Sequence, residues 1–445
     1  MNTPIADFVR DYAASGTARL HMPGHKGAAF LGCEPLDITE IAGADALYEA
    51  SGIIAESEKN ASALFGSART FYAAEGSSQC VRAMLALAIW NAEPGMRPVV
   101  IAARNVHKAF LYAAALLDFD VVWLRPRKPS RSLCACALEP ADLEDALRSL
   151  PHSPAAVYVT SPDYLGGQCD IAALAETAHR YSAPLLVDNA HGAYLRFLPD
   201  SRHPLDLGAD LCCDSAHKTL PVLTGGAYLH VSRRAPEKFR ADGRRALSLF
   251  GSTSPSYLIL QSLDLCNRYL AEGYTDRLAE TAARLEDLRA RLREMGWTVS
   301  DSDPLKLTID CAASGWDGRE LARKLRLGGV ECEYRDRDDL VLMWTPENQP
   351  GDFRRLRDCL GGNTLPSRPR LPLPTDWGEA ACSIREAIFA PHETVPARDT
   401  LGRVCGAPTV GCPPAVPIAA AGERIGAGAV ELFGRYGVEA VEVLR

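Results

Sequence analysis

The chain lacks the features of membrane-spanning and secreted proteins. No apolar run among its 445 residues reaches the roughly 18 residues that a membrane helix needs. The N-terminus, MNTPIADFVRDYAASG, has no basic patch followed by a hydrophobic segment, so no secretory signal is visible. We therefore expect a cytoplasmic protein.

Paired-cysteine motifs are also missing, although the chain contains 14 cysteines. No CxxC occurs; Cys134 and Cys136 form CxC, and Cys212 and Cys213 are adjacent, so the zinc-ribbon pattern is absent. Several cysteines lie in apolar, strand-like runs, where cysteine behaves as a small hydrophobe. We expect free thiols in a reducing compartment and no metal site.

A basic excess is lacking as well. The formal net charge of −8 argues against nucleic acid as the main partner and is compatible with a cationic small-molecule substrate. Hydrophobic content of 47% and charged content of 23% are ordinary for a globular protein. The length allows two to three domains with a large core.

From about residue 60, short apolar runs alternate with helix-like segments. Segments such as PADLEDALRSL (140–150) and IAALAETAHRY (171–181) have helical character. Apolar strands between amphipathic helices indicate an α/β domain whose sheet is buried on both faces. The runs are PVVIAA (98–103), FDVVWL (119–124), AAVYVT (155–160), PLLVDN (184–189) and AYLHV (227–231).

The pattern divides the chain into three parts. Residues 1–60 suggest an N-terminal arm and loops, and residues 61–295 a large α/β domain. A charged amphipathic helix over 276–296 leads to a smaller α/β unit at 296–445.

Two stretches suggest an anion site and a carboxylate at a sheet edge. In AAEGSSQCVRAML (73–85), a Gly-Ser-Ser turn opens a helix, which suits either a phosphate or a plain N-cap. Asp188 ends the strand PLLVD, at the edge where open α/β sheets bind ligands, although a turn-forming Asp has the same pattern.

Two further stretches carry a lysine and a histidine after apolar runs. Lys218, in SAHKTL (215–220), is either a solvated loop lysine or a buried amine nucleophile. His107, in ARNVHKAF (103–110), is either a capping residue or a flat ring that stacks on a ligand. A phosphate turn, a stacking ring, an Asp and a Schiff-base Lys together are what pyridoxal phosphate (PLP) requires.

Ordered motifs over nearly the whole chain carry a family resemblance. The sequence resembles the Orn/Lys/Arg decarboxylases among the fold-type-I (aspartate-aminotransferase-like) PLP enzymes, in particular short bacterial members without an N-terminal wing domain. The resemblance implies a large domain with a mostly parallel, seven-stranded-type sheet and a smaller C-terminal α/β domain. The motifs are HMPGHKG (21–27), DITEIAG (37–43), RNVHKA (104–109), TSPDYLG (160–166), SAHKTLP (215–221), STSPSYL (252–258) and the run from APHETVP to PPAVPIAAAGERI (390–425).

The resemblance also implies the site. Lys218 would form the internal aldimine, Asp188 would pair with the pyridine nitrogen, and His107 would stack on the ring. His217 or Lys218 would return the proton. The other cofactor contacts implied are Gly76, Ser77, Ser78, Ser215 and His217 at the phosphate, Thr160, Ser161, Ala190 and His191 around the ring, and Ser252 and Thr253 across a homodimer interface.

The implied reaction is decarboxylation of lysine, ornithine or arginine to the corresponding amine, within polyamine-related metabolism. Glu333, Asp336 and Glu423 are candidates for binding the basic end of the substrate. The sequence departs from the family at VDNAHG, where Asn189 stands in place of the usual acidic residue, and at EGSSQ and LTGGAYLH.

Two other readings are open. The same cofactor would serve an aminotransferase or a lyase, for which Arg385 or Arg424 would clamp the substrate carboxylate. A non-catalytic regulatory relative is the third reading, which the presence of both Lys218 and Asp188 disfavours.

Overall fold

The computed structural model describes residues 1–124, 126–128, 130–135, 137–362, 364–374, 378–408 and 415–445. Cys136 and part of the C-terminal motif run therefore lie outside the described residues. The α-helices are α1 (Pro4–Ala14), α2 (Ile53–Phe65), α3 (Ser77–Trp90), α4 (Lys108–Leu117), α5 (Pro140–Ser149), α6 (Ile171–Arg180), α7 (Ala216–Thr219), α8 (Glu237–Ser248), α9 (Tyr257–Ala271), α10 (Tyr274–Glu294), α11 (Gly318–Leu327), α12 (Pro350–Leu360), α13 (Ile384–Phe389) and α14 (Ala427–Tyr436).

The strands are β1 (Arg69–Ala73), β2 (Val99–Ala102), β3 (Asp120–Trp123), β4 (Ala156–Thr160), β5 (Leu185–Asp188), β6 (Leu211–Asp214), β7 (Ala227–Val231), β8 (Lys306–Asp310), β9 (Tyr334–Arg335), β10 (Asp339–Met343), β11 (Glu379–Ala380), β12 (His392–Pro396), β13 (Glu423–Arg424) and β14 (Ala440–Leu444). Short 3-10 helices occur at Glu34–Leu36, Leu47–Glu49, Ala193–Phe197 and Ala397–Asp399.

Two compact units make up the chain, and both are discontinuous in sequence. The first unit comprises Met1–Ile101, Leu143–Ser161 and Asp170–Asp276. The second unit comprises Ala102–Asp142, Pro162–Cys169 and Arg277–Arg445. The continuous domains expected at 61–295 and 296–445 stay a prediction.

The first unit holds five of the seven strands of the large sheet, in the order β1–β7–β6–β5–β4, together with residues 99–101 of β2. Strand β5 runs parallel to β4 and β6, whereas β7 runs antiparallel to β6 and β1. All four residues of β5 are buried, because a sheet covered on both faces needs continuous apolar strands. This architecture confirms the predicted α/β class.

Helix α3 packs an Ala- and Leu-rich surface into the first unit. Its residues from Gln79 to Ala88 are buried except Arg82. The helix starts at Ser77, within the Gly-Ser-Ser turn, directly after Gly76, whose positive φ of 73° ends the preceding turn.

The segment expected to be an arm and loops contains α1 and the start of α2. Ile5 and Val9 of α1 are fully buried. The Asp264 carboxylate accepts the amide N–H groups of Ile5 and Ala6 at 2.9 and 3.0 Å, so a residue of α9 supplies the acceptor for the start of α1.

The second unit has a small antiparallel sheet in the order β8–β10–β9. Trp297, Leu307, Leu321 and Leu340 belong to its core, whose residues come from α10, α11, α12 and this sheet. Strands β12 and β14 form a separate antiparallel pair. Among the residues that the structure describes, no helix is long and apolar enough to cross a membrane.

Candidate active site

Three neighbouring strands of the first unit end in polar residues. Thr160 is the last residue of β4, Asp188 of β5 and Asp214 of β6. The parallel registers place Thr160 opposite Asp188, and Asp188 opposite Cys213. Because parallel strands end at one edge of a sheet, these residues share the edge where open α/β sheets bind ligands.

The Asp188 carboxylate is held by neutral donors. Oδ2 accepts the hydroxyl of Tyr158 at 3.1 Å, and Oδ1 accepts the amide N–H of Ala190 at 3.2 Å and the thiol of Cys213 at 3.6 Å. Burial, and then the nearby carboxylate, raise the pKa of Tyr158 well above its ordinary value, so the phenol stays a donor. Asp188 thus offers a buried, oriented carboxylate that suits a cationic partner.

Lys218 lies on the short helix α7, which follows β6. Its Nζ is 3.0 Å from Nε2 of His191. His191 is buried, whereas Lys218 is half-buried. This geometry places a primary amine within hydrogen-bond distance of an imidazole that can exchange a proton with it.

An open anion-binding space lies at the start of α3. Apart from Gly76 and its two chain neighbours, no atom of the described residues lies within 4 Å of where a Cβ on Gly76 would be, and no described side chain caps the helix. Ser215 Oγ donates to Ser77 Oγ at 2.7 Å, which brings the turn at the end of β6 to this helix start. Uncapped amides beside two hydroxyls suit a phosphate.

His217 faces a backbone carbonyl. Its Nδ1 donates to the oxygen of Gly226 at 3.0 Å. Burial lowers the pKa of His217, the carbonyl contact opposes this, and neighbouring Lys218 lowers it further. The imidazole is therefore a neutral Nδ1 donor that fixes the Gly225–Gly226 turn.

Ser252 and Thr253 lie in an exposed loop before α9. The Ser252 N–H donates to the Glu75 carboxylate, and Ser252 Oγ accepts the N–H of Ser254 at 3.1 Å. The loop is thereby tied to the residue that precedes Gly76.

The residues present fit PLP. The hydroxyl Oγ1 of Thr160 is buried and has no hydrogen-bond partner among the described residues. It supplies a polar group for a ring substituent, Asp188 one for a ring nitrogen, and Lys218 an amine for the aldehyde. The space at Gly76 matches the phosphate.

In the second unit, His107 is the N-cap of α4. Its Nδ1 accepts the amide N–H of Ala109 at 3.1 Å, so the neutral ring carries its proton on Nε2. The capping alternative for His107 is thus realised. Its role as a stacking ring stays a prediction.

The acidic residues expected to meet the substrate have partners inside the second unit. Glu423 pairs with Arg104 at 2.7 Å, and Glu333 accepts the hydroxyl of Tyr164. Asp336 accepts the hydroxyl of Tyr334 at 2.8 Å, and burial, followed by nearby Asp339, raises its pKa.

The two arginines considered as carboxylate clamps donate to backbone carbonyls. Arg424 donates to the oxygen of Gly402 at 2.8 Å, and Arg385 to that of Ala115 at 2.7 Å. The substrate roles of these acids and arginines stay predictions.

Sequence reasoning missed Tyr158, Cys213 and Asp214. Tyr158 lies two residues before Thr160, so strand alternation puts both on one face of β4. That signal was available in the run AAVYVT. The contacts of Cys213 and Asp214 depend on strand register, which a single sequence does not give.

A family model described as "Orn/Lys/Arg decarboxylase, major domain" matches residues 3–313. Among curated proteins, the uncharacterized protein YaaO of Bacillus subtilis is 29% identical over 466 residues, covering 98% of this chain and 94% of the relative. The arginine decarboxylase of the same organism is 28% identical over 464 residues, covering 95% and 91%.

Solved structures show the same fold. The lysine decarboxylase LdcF of Francisella novicida superposes with a TM-score of 0.82 at 16% identity, covering 100% of this chain and 81% of that one. A structure of SPT with PLP gives a TM-score of 0.53 at 17% identity, covering 69% and 75%. The predicted fold-type-I architecture is confirmed.

Proposed function

The chain belongs to the Orn/Lys/Arg decarboxylase family, and on that premise we propose that it is a PLP-dependent decarboxylase of a basic amino acid. The reaction releases the α-carboxylate as carbon dioxide and leaves a proton on Cα, which yields the amine. Arginine is the first substrate to test, because curated relatives that cover 95% of the chain include arginine decarboxylases. Lysine and ornithine follow.

One arrangement carries the proposal. Asp188 ends β5, Lys218 follows the neighbouring strand β6, and the Gly76–Ser77 helix start follows β1, all in one compact unit. Each offers the group that a different part of PLP needs: a carboxylate, an amine and a helix start that no described side chain caps. The buried hydroxyl of Thr160 adds a fourth contact.

When bound, PLP supplies an electron-accepting ring that takes up the electron pair left when the bond from Cα to the carboxylate breaks. Asp188 keeps the ring nitrogen protonated. Ser77 and Ser215 hold the phosphate, and their mutual hydrogen bond at 2.7 Å fixes the distance between two chain segments.

We assign the proton that returns to Cα to Lys218 Nζ. His191 Nε2 lies 3.0 Å from this amine and can restore its proton from the other side. His217 is the other candidate, but its Nδ1–H donates to the Gly226 carbonyl. Burial also lowers the pKa of His217, so at neutral pH the ring lacks the extra proton that an acid must give.

The deciding experiment is direct. Purified protein with PLP is incubated with arginine, lysine or ornithine, and carbon dioxide and amine are measured. We expect equal amounts of both products from one of the three, and none from Lys218→Ala. Formation of a keto acid without carbon dioxide would instead support the aminotransferase reading and refute this proposal.

A homodimer with shared sites and a place in cytoplasmic polyamine metabolism complete the proposal. Ser252 and Thr253 are exposed, as residues that meet a partner's phosphate site would be in one isolated chain. Sedimentation of the purified protein tests the dimer, and a monomer at micromolar concentration would contradict it.

A further inference from the structure

A second carboxylate is buried beside the site. Asp214, the last residue of β6, is fully buried. Its Oδ1 accepts the side-chain amide of Asn189 at 2.6 Å, and its Oδ2 accepts Nε2 of His203 at 3.1 Å and Nε2 of His230 at 3.2 Å. All three donors are fully buried as well. The carboxylate thus has three donors and no exposure to water.

The hydrogen bonds fix where the protons lie. His230 Nδ1 is 2.8 Å from Thr70 Oγ1, and His203 Nδ1 is buried without a hydrogen-bond partner among the described residues. A proton on that atom would be an unsatisfied buried N–H, so His203 carries its proton on Nε2 and donates to Asp214. A metal ion on Nε2 would force the unfavourable proton onto Nδ1. Hydrogen bonding therefore explains this His-Asp-His group better than metal ligation.

The cluster consequently holds one negative charge. Burial lowers the pKa of His230. Burial by itself would raise the pKa of Asp214, but the two imidazoles outweigh it and hold that pKa below its ordinary range. Asp214 is the ionised acceptor, and both imidazoles donate to it through Nε2.

The orientation of Asn189 is fixed by its surroundings. A Cβ on Gly192 would lie 2.1 Å from Asn189 Oδ1, so the glycine makes room for the amide. The backbone N–H of Asn189 donates to the carbonyl of Cys213 at 3.0 Å. The hydrogen bond from the Asn189 side chain to Asp214 therefore connects β5 and β6 just beyond the last backbone hydrogen bond between them.

We propose that Asn189 and Asp214 are positioning residues that must carry one amide and one carboxylate between them, and that this pair holds Asp188 and Ser215 in place. Asn189 directly follows Asp188, and Asp214 directly precedes Ser215. An acidic residue at 189, as the family resemblance leads one to expect, would face a buried carboxylate at 2.6 Å, and both could not be ionised. Asn189 is therefore required by Asp214. The inference rests on the proposed function only for the roles of Asp188 and Ser215.

The test is a reciprocal exchange. Asn189→Asp, Asp214→Asn and the double variant N189D/D214N are compared with wild type for thermal unfolding of the apoprotein and for PLP affinity by absorbance titration. In the double variant the amide oxygen of residue 214 can accept both imidazoles, while its nitrogen donates to the new carboxylate. Asn60→Asp on α2 makes the same chemical change outside the cluster and serves as the control.

We expect each single variant to lower the apoprotein melting temperature by at least about 4 °C and to weaken PLP binding by at least about tenfold. The double variant should recover more than half of both losses. Losses in the double variant that equal the sum of the singles would overturn the inference, as would an unperturbed N189D.

Two further outcomes keep the test decisive. If N189D is insoluble, soluble and folded N189D/D214N supports the pair, whereas an equally insoluble double variant refutes it. Asn189→Ala removes the donor without adding charge, so its loss should be smaller than that of N189D; a larger loss would refute the charge argument. Since the apoprotein is read without cofactor, failure of wild type to bind PLP would count against the proposed function and not against this pair.

Discussion

Replacing Asp188 with Asn separates the charge of this residue from its shape. In the apoprotein the Ala190 N–H can still donate to the amide oxygen, and the Tyr158 hydroxyl can rotate to accept the new amide N–H. The two contacts of Oδ1, at 3.2 and 3.6 Å, survive this isosteric change, whereas the Tyr158 O–H loses its acceptor on residue 188. We expect the free energy of unfolding to fall by about 1–3 kcal/mol, the cost of one buried donor that loses its acceptor.

Catalysis should respond quite differently. An amide cannot keep a ring nitrogen protonated, so the charge that accepts the electron pair is lost. Losing one preorganised electrostatic group of this kind costs about 3–4 kcal/mol in the barrier, which is roughly 10²–10³-fold in kcat. Carbon dioxide release measures kcat, and urea unfolding of the apoprotein measures stability.

Two companion variants sharpen the comparison. Asp188→Ala removes the carboxylate that accepts both the Tyr158 hydroxyl and the Ala190 N–H, and should cost about 1–3 kcal/mol of stability for each. Tyr158→Phe removes one donor but keeps the carboxylate, so its kcat should stay within about tenfold of wild type. The reasoning fails if D188N retains activity within tenfold of wild type, or if it unfolds as easily as D188A.

Three other predictions concern separate parts of the chain. His217→Asn keeps an N–H donor for the carbonyl that His217 contacts, so in PLP titrations it should bind more tightly than His217→Phe; equal affinities would contradict a donor role. Backbone N–H groups, that of Leu31 above all, lower the pKa of Glu34 to about 2 from its ordinary value of 4.5. The ionised carboxylate therefore contributes its full stabilisation of the fold above pH 4.5, and this contribution is lost as pH falls through about 2. The melting-temperature gap between wild type and Glu34→Gln should therefore be widest above pH 5 and narrow on acidification, and a constant gap would contradict it. Arg104→Met removes the arginine partner of buried Glu423 and should lower the free energy of unfolding in urea by about 3 kcal/mol. Arg326→Met, at an exposed ion pair, should lower it little. Similar losses in the two variants would refute the argument from burial.

The sequence was most informative where the structure is locally determined. The predicted strand AYLHV coincides with β7, and the predicted strand around 184–189 with β5, because buried strands are continuous apolar runs. Asp188 was predicted as a site residue because a carboxylate at the end of such a run breaks the pattern, and the structure places it at the end of β5. Lys218 was found by its neighbours and by the family motif.

What could not be predicted depends on contacts between distant segments. Nothing in the local sequence shows that Asp214 accepts hydrogen bonds from residues 11 and 16 positions away, or that Asn189 lies 25 positions from its partner. The acidic residues chosen for the substrate illustrate the same limit. Glu423 looks available in the sequence, but folding gives it an arginine partner inside the second unit.

The start of α3, which no described side chain caps, has a consequence for the protein in a living cell. The phosphate of PLP, bound between Gly76 and Ser78, would take the place of the missing cap. The supply of PLP would therefore affect folding as well as catalysis. By mass action, a ligand at 100 times its Kd adds about 2.7 kcal/mol of stability. A cell with little PLP would then contain less of the enzyme, because unfolded chains are degraded faster. A smaller fraction of the remaining enzyme would also be active.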